Sequence, residues 1–276
     1  MKQLIVTADD FGASPEVNAA VEAAHRTGIL TAASLMVAGD AAADAVARAK
    51  TLPRLGAGLH VVLVEGRPML PPERIPALVD SSGHFRTDMV RTAITIFASP
   101  SARAQLTAEV EAQFAAFAAT GLPLDHVNAH KHFHLHPTIA ATILTVGRRY
   151  GVRAIRAPVE PAAPLAAVDG TRAGSWIEGI WARKVQKRMR RVGLTVPDQV
   201  FGLSWSGAMT AERVRGLIDH LPDGLSEIYA HPATGPYPGS APGYRYADEF
   251  AALTDALAIA AVRRHEITLG RFADFE

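Results

Sequence analysis

Short apolar runs alternate with amphipathic stretches of helical length along almost the whole chain. Residues 4–8, 30–37, 59–64, 125–129, 153–157, 200–203, 225–230 and 266–269 read as strands. Between them, residues 15–27, 41–50, 101–119, 137–150, 176–192, 210–221 and 246–264 read as helices. Ser14 and Pro15 have the chemistry of a helix start, Gly28 that of a stop, and Asp40 can cap the second helix. Leu106, Val110, Phe114 and Phe117 fall on one face of the helix over 101–119. Parallel strands need crossovers, so this alternation predicts a parallel sheet wrapped by helices. Seven or eight repeats of the unit point to an α/β fold, a distorted (β/α) TIM-like barrel. A doubly wound open sheet is the alternative, but no GxGxxG follows the first strand. Residues 65–99, broken by Pro68, Pro71, Pro72 and Ser81-Ser82-Gly83, read as loops with one short helix. No composition break marks a linker, so residues 1–276 read as one domain.

Composition removes several function classes. Lysine plus arginine is 28 against 27 aspartate plus glutamate, so no whole-molecule field gathers nucleic acid. Cysteine is absent, which excludes disulfides, thiolate zinc sites and cysteine nucleophiles. Any metal must be held by nitrogen and oxygen. The apolar run after Lys2 is too short for a signal-peptide core, and no charge-free run approaches the roughly 18 residues of a membrane span. A soluble, cytoplasmic protein is the expectation, with oligomeric state left open and a homodimer among the outcomes.

Acid–base and metal-type residues concentrate at strand ends. They are Asp9-Asp10, His60, the run His130-Lys131-His132-Phe133-His134-Leu135-His136, and His231. In a parallel barrel the C-terminal strand ends converge on one face, so these distant residues would meet. Two histidines and a carboxylate bind a divalent ion and leave positions open for water and substrate. A second carboxylate can take a proton from water, and another histidine can protonate a leaving group. Plainer readings exist: an Asp-Asp pair caps turns, a single histidine beside valines is core, and a histidine run is a solvated loop. If extended, the run would place His130, His132, His134 and His136 on one side. His25, His84, His220 and His265 read as surface or helix residues, and His126 as structural.

On TADDFG, the GLH at His60, HKHFHLHP and the HP at His231-Pro232, the sequence resembles the YdjC-like carbohydrate deacetylases over essentially its whole length. The resemblance implies a distorted barrel and a metal-dependent deacetylase of N-acetylated sugars. It further implies Asp10, His60 and His130 as metal ligands, Asp9 as general base and His231 as general acid. The ion would be zinc or magnesium. The family often has Asp-Ser where this chain has Asn128-Ala129, and often a histidine where it has Lys131. LIVTADDFG, LTAASLMV, LVEGRP and LDHVNAHKHFHLHP resemble the hopanoid-associated branch, implying an N-acetylglucosaminyl hopanoid as substrate. A soluble chitooligosaccharide is the alternative, and a non-catalytic sugar- or lipid-binding scaffold a further one.

The 176–192 helix mixes Trp176, Ile177, Ile180, Trp181, Val185 and Met189 with six basic residues. Such a helix can lie on an anionic membrane surface, or simply pack on the barrel with a solvated basic face. Pro161, Pro164 and the glycines before Trp176 read as a loop able to move over the site.

Overall fold

The run LIVTA near the start is apolar without alternation, as a strand covered on both faces requires. In the computed structural model, which describes residues 1–172 and 176–276, it lies in the longest strand. The strands are β1 (Lys2–Phe11), β2 (Ala32–Leu35), β3 (Gly56–Val61), β4 (Val127–Ala129), β5 (Gln199–Phe201), β6 (Gly224–Ala230) and β7 (Thr268–Leu269). The helices are α1 (Pro15–Thr27), α2 (Ala42–Lys50), α3 (Met89–Ala98), α4 (Pro100–Ala119) and α5 (Pro137–Gly147). They continue with α6 (Ala162–Asp169), α7 (Trp176–Arg191), α8 (Ala211–Asp219), α9 (Tyr246–Leu253) and α10 (Ala256–Arg264).

Strand order is β4-β3-β2-β1-β6-β5, with every pairing parallel and β7 joining β1. Between β4 and β5 stands the segment expected as a strand over 153–157. It makes only single parallel bridges, Ile155 to Val127 and Ala154 to Thr195. Further on, the Val159 carbonyl accepts from the Val200 amide of β5 at 2.9 Å. This segment spans the gap and draws the curled sheet into a distorted barrel. Pro158, which has no N–H to offer a ladder, accounts for the missing regular strand.

Outside the sheet, α4 starts where Ser99 Oγ accepts from the Ala102 amide at 3.2 Å and Pro100 fills the first position. Leu106, Val110, Phe114 and Phe117 are all buried. Phe114 also stacks on Tyr150 at 5.3 Å. Phe114→Ala is expected to cost about 3–5 kcal/mol, read from urea denaturation, because the void is walled by rigid helices.

Several local expectations are corrected. Residues 246–264 form two helices, because Asp255 caps α10 by accepting from the Ala258 amide at 3.1 Å. The loop expected before Trp176 holds α6; Pro164 lies in its first turn, where a missing N–H costs nothing. Gly174 and the side chains of Trp176 and Ile177 lie outside the described residues. Asp40 does not cap α2 but pairs with Arg67 at 3.0 Å. Among the described residues no helix is long and apolar enough to cross a membrane.

Candidate functional site

The strand ends do converge. Between Ala8 and Phe11 the register of β1 against β2 slips, and Asp10 takes a left-handed φ of 62°. Aspartate tolerates that conformation better than most residues, and it turns the two carboxylates in different directions. β3 supplies His60, and the turn leaving β4 supplies His130. Asp10 Oδ1 lies 3.2 Å from His60 Nε2 and 3.3 Å from His130 Nδ1. The two histidine nitrogens are 3.3 Å apart.

This near-equilateral triangle fits a metal ion. Ligands about 2.1 Å from one centre lie about 3.0 Å apart at octahedral angles and about 3.4 Å apart at tetrahedral ones. Asp10 Oδ1 is buried and has no hydrogen-bond partner among the described residues, a cost that a cation would remove. Burial raises the Asp10 carboxyl, but the His130 and His60 contacts outweigh it and hold the group well below the ordinary carboxylate range.

Asn128 sets the tautomer of His60. Its Nδ2 donates to Asp9 Oδ1 at 3.0 Å and to Ser34 Oγ at 3.1 Å. Asp9 Oδ1 can only accept there, so the amide orientation is fixed and Asn128 Oδ1 must face His60 Nδ1, 2.7 Å away. His60 therefore donates from Nδ1, and in neutral imidazole that leaves the Nε2 lone pair for a metal.

Asp9 is held by a buried arginine. Arg156 Nη1 donates to Asp9 Oδ2 at 2.6 Å, and Nη2 donates to Oδ1 at 2.9 Å. The same guanidinium reaches Glu227 Oε1 through Nε at 3.0 Å and Nη2 at 2.7 Å. Thr7 donates to that oxygen at 2.8 Å, and the Tyr229 ring lies 4.4 Å from the guanidinium carbon. Burial alone would raise the Asp9 carboxyl; the Arg156 charge, helped by His60, wins and holds it far below its ordinary value. The pairing thus favours the carboxylate form of Asp9.

The histidine run does not line up on one side. Lys131 and His132 take left-handed φ of 51° and 52°, so the segment from His130 to Leu135 kinks there and does not run extended. Only His130 reaches the metal triangle. His132 Nε2 meets the Tyr229 hydroxyl at 2.9 Å, and His134 Nε2 donates to the Arg156 carbonyl at 2.9 Å. Burial, and then the Arg156 charge, push His132 well down and His134 down to about 4.

That depression has a sign for stability. The unfolded chain takes up a proton near pH 6.5, whereas folded His134 refuses it until about pH 4. Its contribution is present above pH 6.5 and is lost as pH falls towards 4. The His134 share of stability is expected to fall by about 2 kcal/mol between pH 7 and pH 5 in chelator, so that His134→Gln flattens the parent's slope by about that amount. Urea midpoints at the two pH values read it directly.

His231 follows β6 as Asp9 follows the paired residue on β1, with Ala230 opposite Ala8. Its backbone N–H donates to Glu249, whose buried carboxylate also lies 3.8 Å from His231 Nδ1. His126 is structural, as expected: it pairs with Asp125 at 3.0 Å and stacks on Phe272. Gly58 makes room for it, since a Cβ there would sit 2.4 Å from the imidazole.

A cleft of about 460 Å³ adjoins the triangle, with Asp10 and His130 in its lining. Met36, Val62 and Tyr237 supply apolar wall, and Glu65, Arg67 and His84 line the polar side. A few convergent polar groups on an apolar lining is the usual construction of a small-molecule site.

The family model described as YdjC-like protein matches residues 3–264. The chain belongs to the YdjC-like family. A relative named carbohydrate deacetylase in Geobacillus stearothermophilus is 30% identical over 275 residues, covering 98% of this chain and 97% of its own. Another of that name, in Brevibacillus brevis, is 40% identical over 150 residues, 54% of this chain and 57% of its own. A crystal structure from Enterococcus faecalis V583 shares the fold, with a TM-score of 0.79 at 24% identity over 99% of this chain and 98% of that one.

In this YdjC-like chain the sequence reading missed Arg156, Glu227 and Ser34. A signal existed for the first two. Each is a charged residue inside an otherwise apolar strand segment, IRA and SEIYA, where a charge is costly unless paired. Ser34, in ASL, carried no signal.

Proposed function

We propose that this chain removes the acetyl group from an N-acetylglucosamine unit by metal-assisted hydrolysis, acting as a single deacetylase domain over residues 1–276. The observation that carries the reading is the triangle of Asp10, His60 and His130, two corners of which line a cleft, with Asp9 and His231 on the two neighbouring strand ends. The family membership and the relatives named carbohydrate deacetylases support it. Two imidazoles and one carboxylate favour zinc over magnesium, which prefers oxygen.

A divalent ion held by Asp10, His60 and His130 would polarise the acetamide carbonyl and make water a better nucleophile at neutral pH. The protein supplies the rest. Asn128 fixes His60. Among the described residues Asp9 Oδ2 takes only the Arg156 bond, so a lone pair remains to accept a proton from the attacking water. His231 donates a proton to the departing amine as the C–N bond breaks. The water oxygen ends in acetate, and the sugar keeps a free amine.

The finer substrate is an N-acetylglucosaminyl hopanoid, with the protein working at the cytoplasmic face of a membrane; di-N-acetylchitobiose is the soluble alternative. Metal-loaded protein is incubated with each, and acetate release is measured alongside a loss of roughly 42 Da, one acetyl exchanged for hydrogen, in the sugar product. Acetate from neither substrate with zinc, magnesium, cobalt or nickel present rejects the reading. Acetate from the chitobiose alone rejects only the lipid substrate.

A further inference from the structure

Two helices flanking the site carry largely exposed apolar and basic side chains. On α3, Val90, Ile94 and Phe97 are 70%, 62% and 66% exposed. Their i, i+4, i+7 spacing makes them one stripe, turned away from the buried Thr92 and Ile96. On α7, Ala182, Val185, Gln186 and Met189 face the body. The opposite face runs Ile180, Trp181, Lys184, Lys187, Arg188 and Arg191, all exposed and at helical spacing. Among the described residues, the only basic side chain of α7 paired with a carboxylate is that of Arg190, with Asp198.

The two faces meet at the turn that bears His130. Phe97 of α3 packs edge-on against His136, with ring centroids 6.4 Å apart. Trp181 of α7 donates from Nε1 to the Leu135 carbonyl at 2.8 Å. The apolar helix and the basic helix therefore contact consecutive residues of the same segment, Leu135 and His136.

We propose that this composite face docks on an anionic lipid bilayer, the α3 stripe and Ile180-Trp181 entering the headgroup boundary and the α7 basic stripe meeting lipid phosphates. Charge decides the occupant. A two-fold pairing with a second copy centred on α7 would set basic stripe against basic stripe, and one centred on α3 would leave the basic stripe unmatched. A phosphate backbone would match the basic stripe but leave Val90, Ile94 and Phe97 in water. An anionic bilayer satisfies both halves at once. The inference does not rest on the deacetylase reading, since binding is measured with no sugar present.

The test is co-sedimentation of the full chain, metal-loaded, with phosphatidylcholine vesicles and with vesicles containing about one third phosphatidylglycerol. Strong binding is expected only to the anionic vesicles, and it should collapse at high salt. A basic residue near such a surface is worth about 1 kcal/mol, or about fivefold in partitioning. The triple variant Lys184→Gln, Lys187→Gln, Arg188→Gln should therefore bind about a hundredfold more weakly. Ile94→Asp with Phe97→Asp should lose at least about tenfold, with circular dichroism unchanged because both sites are exposed. Equal binding to both vesicle types overturns the proposal, as does a triple variant that binds like the parent. It is equally overturned if the α3 variants convert a dimer to a monomer, by light scattering, while vesicle binding is unaffected.

Discussion

Asp10→Ala is expected to abolish tight metal binding and to lower turnover by at least about a thousandfold. The expectation follows from the triangle. Asp10 Oδ1 is its only anionic corner and has no hydrogen bond of its own among the described residues. Removing it leaves two neutral imidazoles and no charge to offset the ion. His60→Ala and His130→Ala should behave alike, since each removes one corner. Asp9→Asn makes the contrast: it lies outside the triangle, so metal content should persist while most activity is lost. Metal stoichiometry by elemental analysis and acetate release by a coupled assay separate the cases. An Asp10→Ala protein that keeps one equivalent of metal and near-normal turnover would remove the basis of the proposed chemistry.

Acid should act on the same triangle. Without metal, burial pulls the His60 imidazole down, but contacts with Asp10 and Asp9 pull it up further, so it ends above its ordinary value. A proton on Nε2 then occupies the position of the ion. Metal affinity is expected to fall with decreasing pH, because each bound ion must displace that proton. Asp9, held ionised by Arg156, should not contribute an acid limb of its own.

Much of this arrangement was legible in the chain, for a reason that is physical. A parallel barrel sends strand ends to one rim, so residues at the ends of predicted strands meet whatever their separation in sequence. That logic brought Asp9-Asp10, His60, the histidine run and His231 to one rim, and the family resemblance singled out Asp10, His60 and His130 among them. The reading failed inside the histidine run, because period-two reasoning assumes extended backbone, and the left-handed Lys131 and His132 break it. It also passed over Arg156, whose partners lie on β1 and β6. Pairing across a barrel depends on which strands become neighbours, and no local pattern encodes that. The boundary inside 246–264 was missed because α9 and α10 carry one continuous apolar rhythm, and only the Asp255 cap interrupts it.

Arg156→Met is expected to be the most damaging single change outside the triangle. The side chain is fully buried and is the only cation facing both Asp9 and Glu227 in the described hydrogen-bond network. Removing one member of a buried ion pair costs about 3–5 kcal/mol, because the remaining charge stays desolvated. Here two carboxylates lose their partner together. Chemistry should suffer in a distinct way. With the guanidinium gone, the burial that raises Asp9 is no longer outweighed, so its carboxyl should move up rather than down. The variant should then show an acid limb in kcat/KM that the parent lacks, reporting protonation of Asp9. Arg156→Lys keeps the charge but cannot bond both Asp9 oxygens and Glu227 with one planar fork, so it should fall between the two in stability. Adding Glu227→Gln to Arg156→Met should recover part of the lost stability, since one stranded charge is removed, yet leave the new acid limb in place. Urea denaturation and the pH–rate profile test these separately. If Arg156→Met unfolds at the parent's urea concentration, the buried triad is not what holds Asp9.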